Sequence, residues 1–134
     1  IETSEHAAQQ LSKALGGLTI LEKGRVDRIA TETEVQYCDI EGGLKRCGGQ
    51  GDLLSGSLGT FLAWAKRYEE RKAMGEDVAD IPAENLPVLA AFGASSVTRM
   101  ASHLGFARLG RSMLTNDLLT DIGPAFEKLF GVSS

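Results

Sequence analysis

Asp52 ends the run Cys47-Gly48-Gly49-Gln50-Gly51-Asp52, in which glycines lead into a carboxylate and an apolar segment follows. Two more glycines, Gly42 and Gly43, stand upstream, with Leu44, Lys45 and Arg46 between. Lacking Cβ atoms, such a turn can adopt positive φ and direct several N–H groups at one anion. A helix that begins near Asp52 adds unpaired N–H donors and the positive end of its dipole. Lys45 and Arg46 can supply charge-assisted hydrogen bonds to phosphate oxygens. The segment therefore reads as a nucleotide-phosphate turn at a helix N-terminus.

Asp52 has two readings. A carboxylate beside a polyphosphate is repelled unless it takes a proton from a hydroxyl or holds a metal ion through water. Capping its own helix is the plainer duty for an Asp at such a place, and spacing alone leaves both open. The run is not a Walker A loop, since no Gly-Lys-Ser/Thr follows, and its glycine spacing differs from the dinucleotide fingerprint.

The elements that must position this turn follow from periodicity. Ala7, Ala8, Leu11, Ala14 and Leu15 recur at helical spacing over 4–15, and Gly16-Gly17 closes that helix. Leu18-Thr19-Ile20-Leu21 suits a short buried strand, ended by Lys23-Gly24. Residues 28–31 and 34–38 predict a β-hairpin. From Asp52 to about Arg67, Leu53, Leu54, Leu58, Phe61, Leu62, Trp64 and Ala65 predict a largely buried helix, with Trp64 in the core. The acidic stretch 68–87 reads as a solvated surface insertion. A second long helix is expected over 86–103, rich in Ala and Ser, with Gly105 to Gly110 breaking it. Thr115-Asn116-Asp117 caps a helix through Leu118, Leu119 and Ile122, and Gly123-Pro124 restarts a last one. The order implies an α/β layer arrangement. Too few strands are present to cover the helices, so parallel strands are expected upstream of Ile1.

The 134 residues fit one domain or part of a larger one, and the hydrophobic fraction of 43% argues against disorder. A net charge of −4 gives no basic surface for sequence-independent binding of nucleic acid or anionic membrane. No apolar run approaches the ~18 residues of a membrane-spanning helix. Cys38 and Cys47 could pair once. Without a denser framework or a zinc-site spacing, the pattern points to reduced thiols and an intracellular chain, cytoplasmic or mitochondrial. Ile1 is not an initiator Met, and no signal-peptide pattern follows, so the chain reads as cut from a longer one. His6 is read as a solvated or packing residue and His103 as a helix-end dipole contact, while Arg99, Arg108 and Arg111 are within the types that bind phosphate but read by default as surface ion pairs. Cys47 is read as a small packing residue.

The segment from Arg46 to Gly56 resembles the signature of the ATP-dependent NAD(P)H-hydrate dehydratases, a repair family of the ribokinase-like superfamily that shares a Gly-x-Gly-Asp turn. The form with Cys47 and Gln50 resembles the eukaryotic branch, whose phosphoryl donor is ATP. Upstream, Lys23-Gly24-Arg25-Val26-Asp27 resembles the family's Lys-Gly-x-x-Asp element. Downstream, Gly110-Arg111-Ser112 through Asp117 resembles its Gly-Arg-Ser…Asp segment.

The resemblance implies a ribokinase-like fold, of which residues 1–134 would be the C-terminal, ATP-binding portion: a few strands including a hairpin, then several helices. It implies ATP-dependent dehydration of (S)-NADHX and (S)-NADPHX by phosphorylation of the ring hydroxyl and loss of phosphate. Asp52 would contact the hydrate and act as base. Lys23, Gly24, Arg25, Val26 and Asp27, with Gly42, Gly43, Leu44, Lys45, Arg46, Cys47, Gly48, Gly49, Gln50 and Gly51, would contact ATP, with Mg2+ shielding its phosphates and no dedicated protein metal site. The isolated piece is expected to be inactive and to need a missing N-terminal portion or another copy of the chain. A ribokinase-like kinase of a vitamin-precursor hydroxyl and a noncatalytic nucleotide-binding module remain open beside it.

Overall fold

The computed structural model describes residues 2–131, so Ile1, on which the expectation of a cut edge rests, lies outside them. The chain forms two compact units, Ile1–Asp39 with Thr60–Phe92, and Ile40–Gly59 with Gly93–Ser134.

In the first unit, helix α1 (Glu2–Ala14) leads into a meander of three antiparallel strands, β1 (Ile20–Glu22), β2 (Asp27–Ala30) and β3 (Val35–Cys38), with β2 in the centre. Gly16 and Gly17, at φ +79° and +86°, end α1 by returning their N–H groups to the carbonyls of Lys13 and Ser12. α1 packs on β1 and β2. Among its described side chains the buried ones are Ala8 and Ser12, one turn apart, whereas Leu11 and Leu15 are exposed. The small pair lets the helix lie close, and the Ser12 hydroxyl donates to the Leu18 carbonyl at 2.7 Å. The predicted hairpin is present, with Ala30 opposite Val35 and Asp27 opposite Cys38. The predicted strand at 18–21 instead starts at Ile20 and is half-buried, because the glycine pair and its carbonyl contact hold Leu18 outside the ladder.

Helix α2 (Gln50–Ala73) begins in the second unit and ends in the first. It is longer than expected and only partly buried. Leu54, Leu58, Phe61, Ala65 and Tyr68 follow one helical stripe and are buried or half-buried. Leu62 and Trp64 sit roughly 80° to either side of that stripe and are exposed, Trp64 to 53%. Trp64 is therefore not a core residue; it packs edge-on to Phe61 with ring centroids 5.3 Å apart.

The predicted insertion begins within α2, since Tyr68 to Lys72 continue the helix. The following loop is tied back to it. The Tyr68 hydroxyl donates to the Ala79 carbonyl and accepts from the Ile81 N–H, and Arg71 and Lys72 pair with Glu76 and Asp80. The hydrogen bond to Asp80 raises Lys72 above its ordinary value, and Lys72 holds Asp80 below its own. This exposed pair contributes between those limits. It is lost as pH falls through the lowered Asp80 value or rises through the raised Lys72 value.

Helix α3 (Leu86–Leu109) follows a short 3-10 turn and enters the second unit near Gly93. Residues 93–97 are buried on every side, and Ala101, Ser102 and Gly105 continue the small-residue face. The break expected over Gly105 to Gly110 falls at its far end, where α3 stops at Leu109 and Gly110 takes φ +59°, so Gly105 itself stays helical. A Cβ there would lie 2.5 Å from the Leu118 side chain and about 3 Å from Asp121 and Met113, all three buried. Gly105 is thus a packing position inside a continuous helix, against α4 (Thr115–Leu118) and the start of α5 (Ile122–Phe130). Arg108 pairs with buried Asp121 at 2.8 Å. Asp117 accepts from the Leu114 N–H at 2.7 Å, capping α4. Among the described residues both cysteines are free thiols, and no helix is long and apolar enough to cross a membrane.

Valine at Gly105 should cost roughly 1–3 kcal/mol through overpacking, seen as a melting temperature lower by several degrees in thermal denaturation. An unchanged melting temperature would show that the Leu118–Asp121 wall yields.

Candidate functional site

The glycine-rich connection lies wholly in the second unit, and its course is set by α3. Arg99 Nε donates to the Ile40 carbonyl at 2.5 Å, and the Gly43 N–H donates to Ser102 Oγ at 3.1 Å. A Cβ on Gly43 would stand 2.6 Å from the Ser102 carbonyl oxygen and 2.9 Å from Phe106 Cβ. Gly43 therefore serves backbone-on-backbone approach rather than positive φ. Within the turn, Gly49 alone carries the expected positive φ, at +94°. Nothing lies within 4 Å of a Cβ built on Gly48, so the space before it is open.

α2 starts at Gln50, two residues before the predicted start, with Gly49 as the residue that caps it. The Gly49 carbonyl accepts from the Asp52 and Leu53 N–H groups at 3.0 and 3.3 Å. Asp52 consequently lies inside the first turn, exposed. Among the described residues no hydrogen bond or ion pair engages its carboxylate, so the capping reading fails on geometry. The N–H groups of Gly48 and Gly49 likewise have no acceptor there. A group of donors beside an uncommitted carboxylate suits an anion whose neighbour gives up a proton.

Two contacts fasten the turn to the Gly110–Asp117 segment. Thr115 Oγ1 donates to the Gly48 carbonyl at 2.6 Å, and Lys45 Nζ donates to the Arg111 carbonyl at 2.7 Å. The structure thus joins two of the three motifs read from the sequence. It also uses Lys45 differently from the expectation, since the ammonium is engaged with protein. Arg46 and Leu44 are exposed. Gln50 folds back over the turn, its amide 3.5 Å from the Lys45 carbonyl and 3.6 Å from Cys47 Sγ.

The third motif lies in the first unit, as the bend between β1 and β2. Lys23, Gly24, Arg25 and Val26 are exposed, while Asp27 is buried and accepts from the Gly24 N–H at 2.9 Å. Asp27 shapes this bend from within. Arg28 beside it pairs with Glu22 at 2.8 Å.

Arg99, Ser102 and Thr115 hold the site and were not singled out for it by spacing. Arg99 reads by default as a surface ion-pair residue, yet it is half-buried on the Ile40 carbonyl. Thr115 reads as part of a helix cap, yet its hydroxyl spans 67 residues of sequence to reach Gly48. A partner so distant leaves no local pattern. Among the described residues no group of three or more His, Cys, Asp or Glu could hold a metal ion. A shallow cavity of about 300 Å³ in the first unit, lined by Tyr68, Lys72, Ile81 and Leu86 among others, contains none of the predicted site residues.

A family profile described as NAD(P)H-hydrate dehydratase matches residues 2–124. The chain is similar to proteins named ATP-dependent (S)-NAD(P)H-hydrate dehydratase from several organisms. Identity is 47% to that of Mycosarcoma maydis, over 95% of this chain and 38% of the relative. It is 44% to that of Rattus norvegicus, over 97% and 36%, and 42% to that of Homo sapiens, over 96% and 35%. The chain thus spans well under half the length of these relatives.

Alanine at Gly43 must push against the Ser102 carbonyl, which cannot move without bending α3. A loss of roughly 1–3 kcal/mol is expected, measured by urea denaturation. An unaltered midpoint would mean that the 40–43 segment is not seated as described.

Proposed function

This chain belongs to the NAD(P)H-hydrate dehydratase family, and from that membership we propose that it is the C-terminal, ATP-binding part of an enzyme that returns (S)-NADHX and (S)-NADPHX to NADH and NADPH. The observation that carries the reading is the exposed carboxylate of Asp52, three and four residues on from the Gly49 and Gly48 N–H groups, all without a partner among the described residues.

The donor set fits a phosphate chain. Gly48 and Gly49 offer backbone N–H groups, Arg46 offers an exposed cation, and the α2 N-terminus adds its dipole. Leu44, Cys47, Gln50 and Gly51 complete the turn around it, while Gly42, Gly43 and Lys45 hold it in place. Lys23 to Val26 would supply further contacts to ATP, and buried Asp27 would keep their bend in shape. Mg2+ would be held chiefly by phosphate oxygens and water, and its chemistry would be to neutralise charge on the transferring phosphoryl group.

Asp52 accepts the proton of the hydrate's ring hydroxyl as that oxygen attacks the γ-phosphorus of ATP, and ADP leaves. The turn's N–H groups stabilise the charge that builds on the transferring oxygens. Phosphate then departs with the C–O electron pair, and loss of a neighbouring ring proton restores the double bond. The remaining substrate contacts would come from the part of the relatives' length that this chain does not span.

The complete encoded protein, given S-NADHX with ATP and Mg2+, should recover the absorbance band of reduced nicotinamide. Asp52→Asn should lower kcat by roughly a hundredfold or more while ATP binding, followed by calorimetry, is retained. Normal turnover in that variant would remove Asp52 as base. An untouched hydrate beside phosphorylation of a pyrimidine or thiazole alcohol would replace the dehydratase with a kinase.

A further inference from the structure

We propose that Thr115 is a positioning residue that sets the direction of the Gly49 N–H, and so aims one donor of the glycine turn. This inference rests on the dehydratase reading for its kinetic consequence, although the geometry behind it does not.

One side chain bonds the first of the two residues that flank the peptide bond and lines the space beside the second. Thr115 Oγ1 donates to the Gly48 carbonyl at 2.6 Å, and its Cγ2 and Cβ lie 3.2 and 3.4 Å from where a Cβ on Gly49 would be. The Gly48 carbonyl and the Gly49 N–H belong to one planar unit, and no cis peptide occurs among the described residues. In a trans peptide these groups point in opposite directions. Holding the carbonyl toward Thr115 therefore turns the Gly49 N–H away from α4, where it meets no acceptor among the described residues.

The lock is needed because its target is soft. Glycine on both sides of a peptide allows the plane to rotate at little steric cost, and nothing crowds Gly48. Gly49 also brings no side chain to cap α2. The Thr115 hydroxyl instead fixes the peptide just before the helix, by holding the Gly48 carbonyl. Thr115 is itself held, since it opens α4 beside Leu114, whose N–H is taken by Asp117. Lys45 on the Arg111 carbonyl is the second fastening of the same turn, at the other end of that segment.

The test uses the complete protein and three variants. Thr115→Val keeps the shape and removes the hydroxyl, Thr115→Ser keeps the hydroxyl and removes Cγ2, and Thr115→Ala removes hydroxyl and Cγ2 while keeping Cβ. With hydrate and ATP, Thr115→Val should lower kcat about tenfold or more, as expected when an anion-hole donor is misdirected, with the KM for hydrate little changed. Thr115→Ser should restore most of the rate. Independently of turnover, ATP should shift the Gly49 amide resonance in the wild type and in Thr115→Ser, and leave it unmoved in Thr115→Val.

Wild-type kcat and a wild-type Gly49 response in Thr115→Val would overturn the proposal. If Thr115→Val does not fold, Thr115→Ala decides: a rate and amide response equal to those of Thr115→Ser would overturn it, and loss of both relative to Thr115→Ser would uphold it. If the wild type leaves hydrate untouched while its Gly49 amide responds to ATP in a Thr115-dependent way, the dehydratase reading fails and the positioning role stands.

Discussion

Backbone seated directly on backbone is the constraint on which the candidate site depends. Where Gly43 meets the Ser102 carbonyl there is no room for a Cβ, and where Gly49 meets Thr115 there is barely room for one. Gly105 extends the same economy of volume to the packing of α3 against Leu118 and Asp121. Protein interiors are close-packed, so one added methyl at such a place moves main chain as well as side chain. The glycines of the connection accordingly do different work. Gly43 allows close approach, Gly49 adopts a left-handed backbone at a helix start, and Gly48 leaves space open.

The fastenings divide the turn's polar groups into two sets. Arg99, Ser102 and Thr115 engage the Ile40 carbonyl, the Gly43 N–H and the Gly48 carbonyl, and the turn's own Lys45 donates to the Arg111 carbonyl. The Gly48 and Gly49 N–H groups and the Asp52 carboxylate remain without partners among the described residues. Buried groups of this kind would be costly. At the surface they are affordable, and an arriving phosphate and hydroxyl can satisfy them. Preorganised donors of this sort need little rearrangement when charge develops, which is the main way a site without its own nucleophile can favour phosphoryl transfer.

Much of the fold was legible in the sequence where the signal is local. The hairpin over 28–38 follows from two short runs with polar residues between them, the end of α1 from Gly16-Gly17, and the α2 stripe from the 3.6-residue period. Misreadings came where a residue type has two uses. Gly105 reads as a helix breaker by propensity, yet close packing retains it inside α3. Trp64 reads as core by hydrophobicity, yet its place beside the Leu54–Tyr68 stripe leaves it exposed. Asp52 reads equally as a cap, and only the earlier start of α2 at Gln50 separates the two readings.

The sequence by itself determined the chemistry available here: which glycines precede which carboxylate, and the motif order that ties the chain to its family. Those are facts of type and spacing along one dimension. The tertiary structure alone decided which groups stay free to act. It set Lys45 on the Arg111 carbonyl, buried Asp27 beneath its bend, and brought Thr115 to Gly48. Such contacts join residues tens of positions apart, and no period or propensity encodes them. They exist only once α3 and α4 have packed and presented their surfaces to the turn.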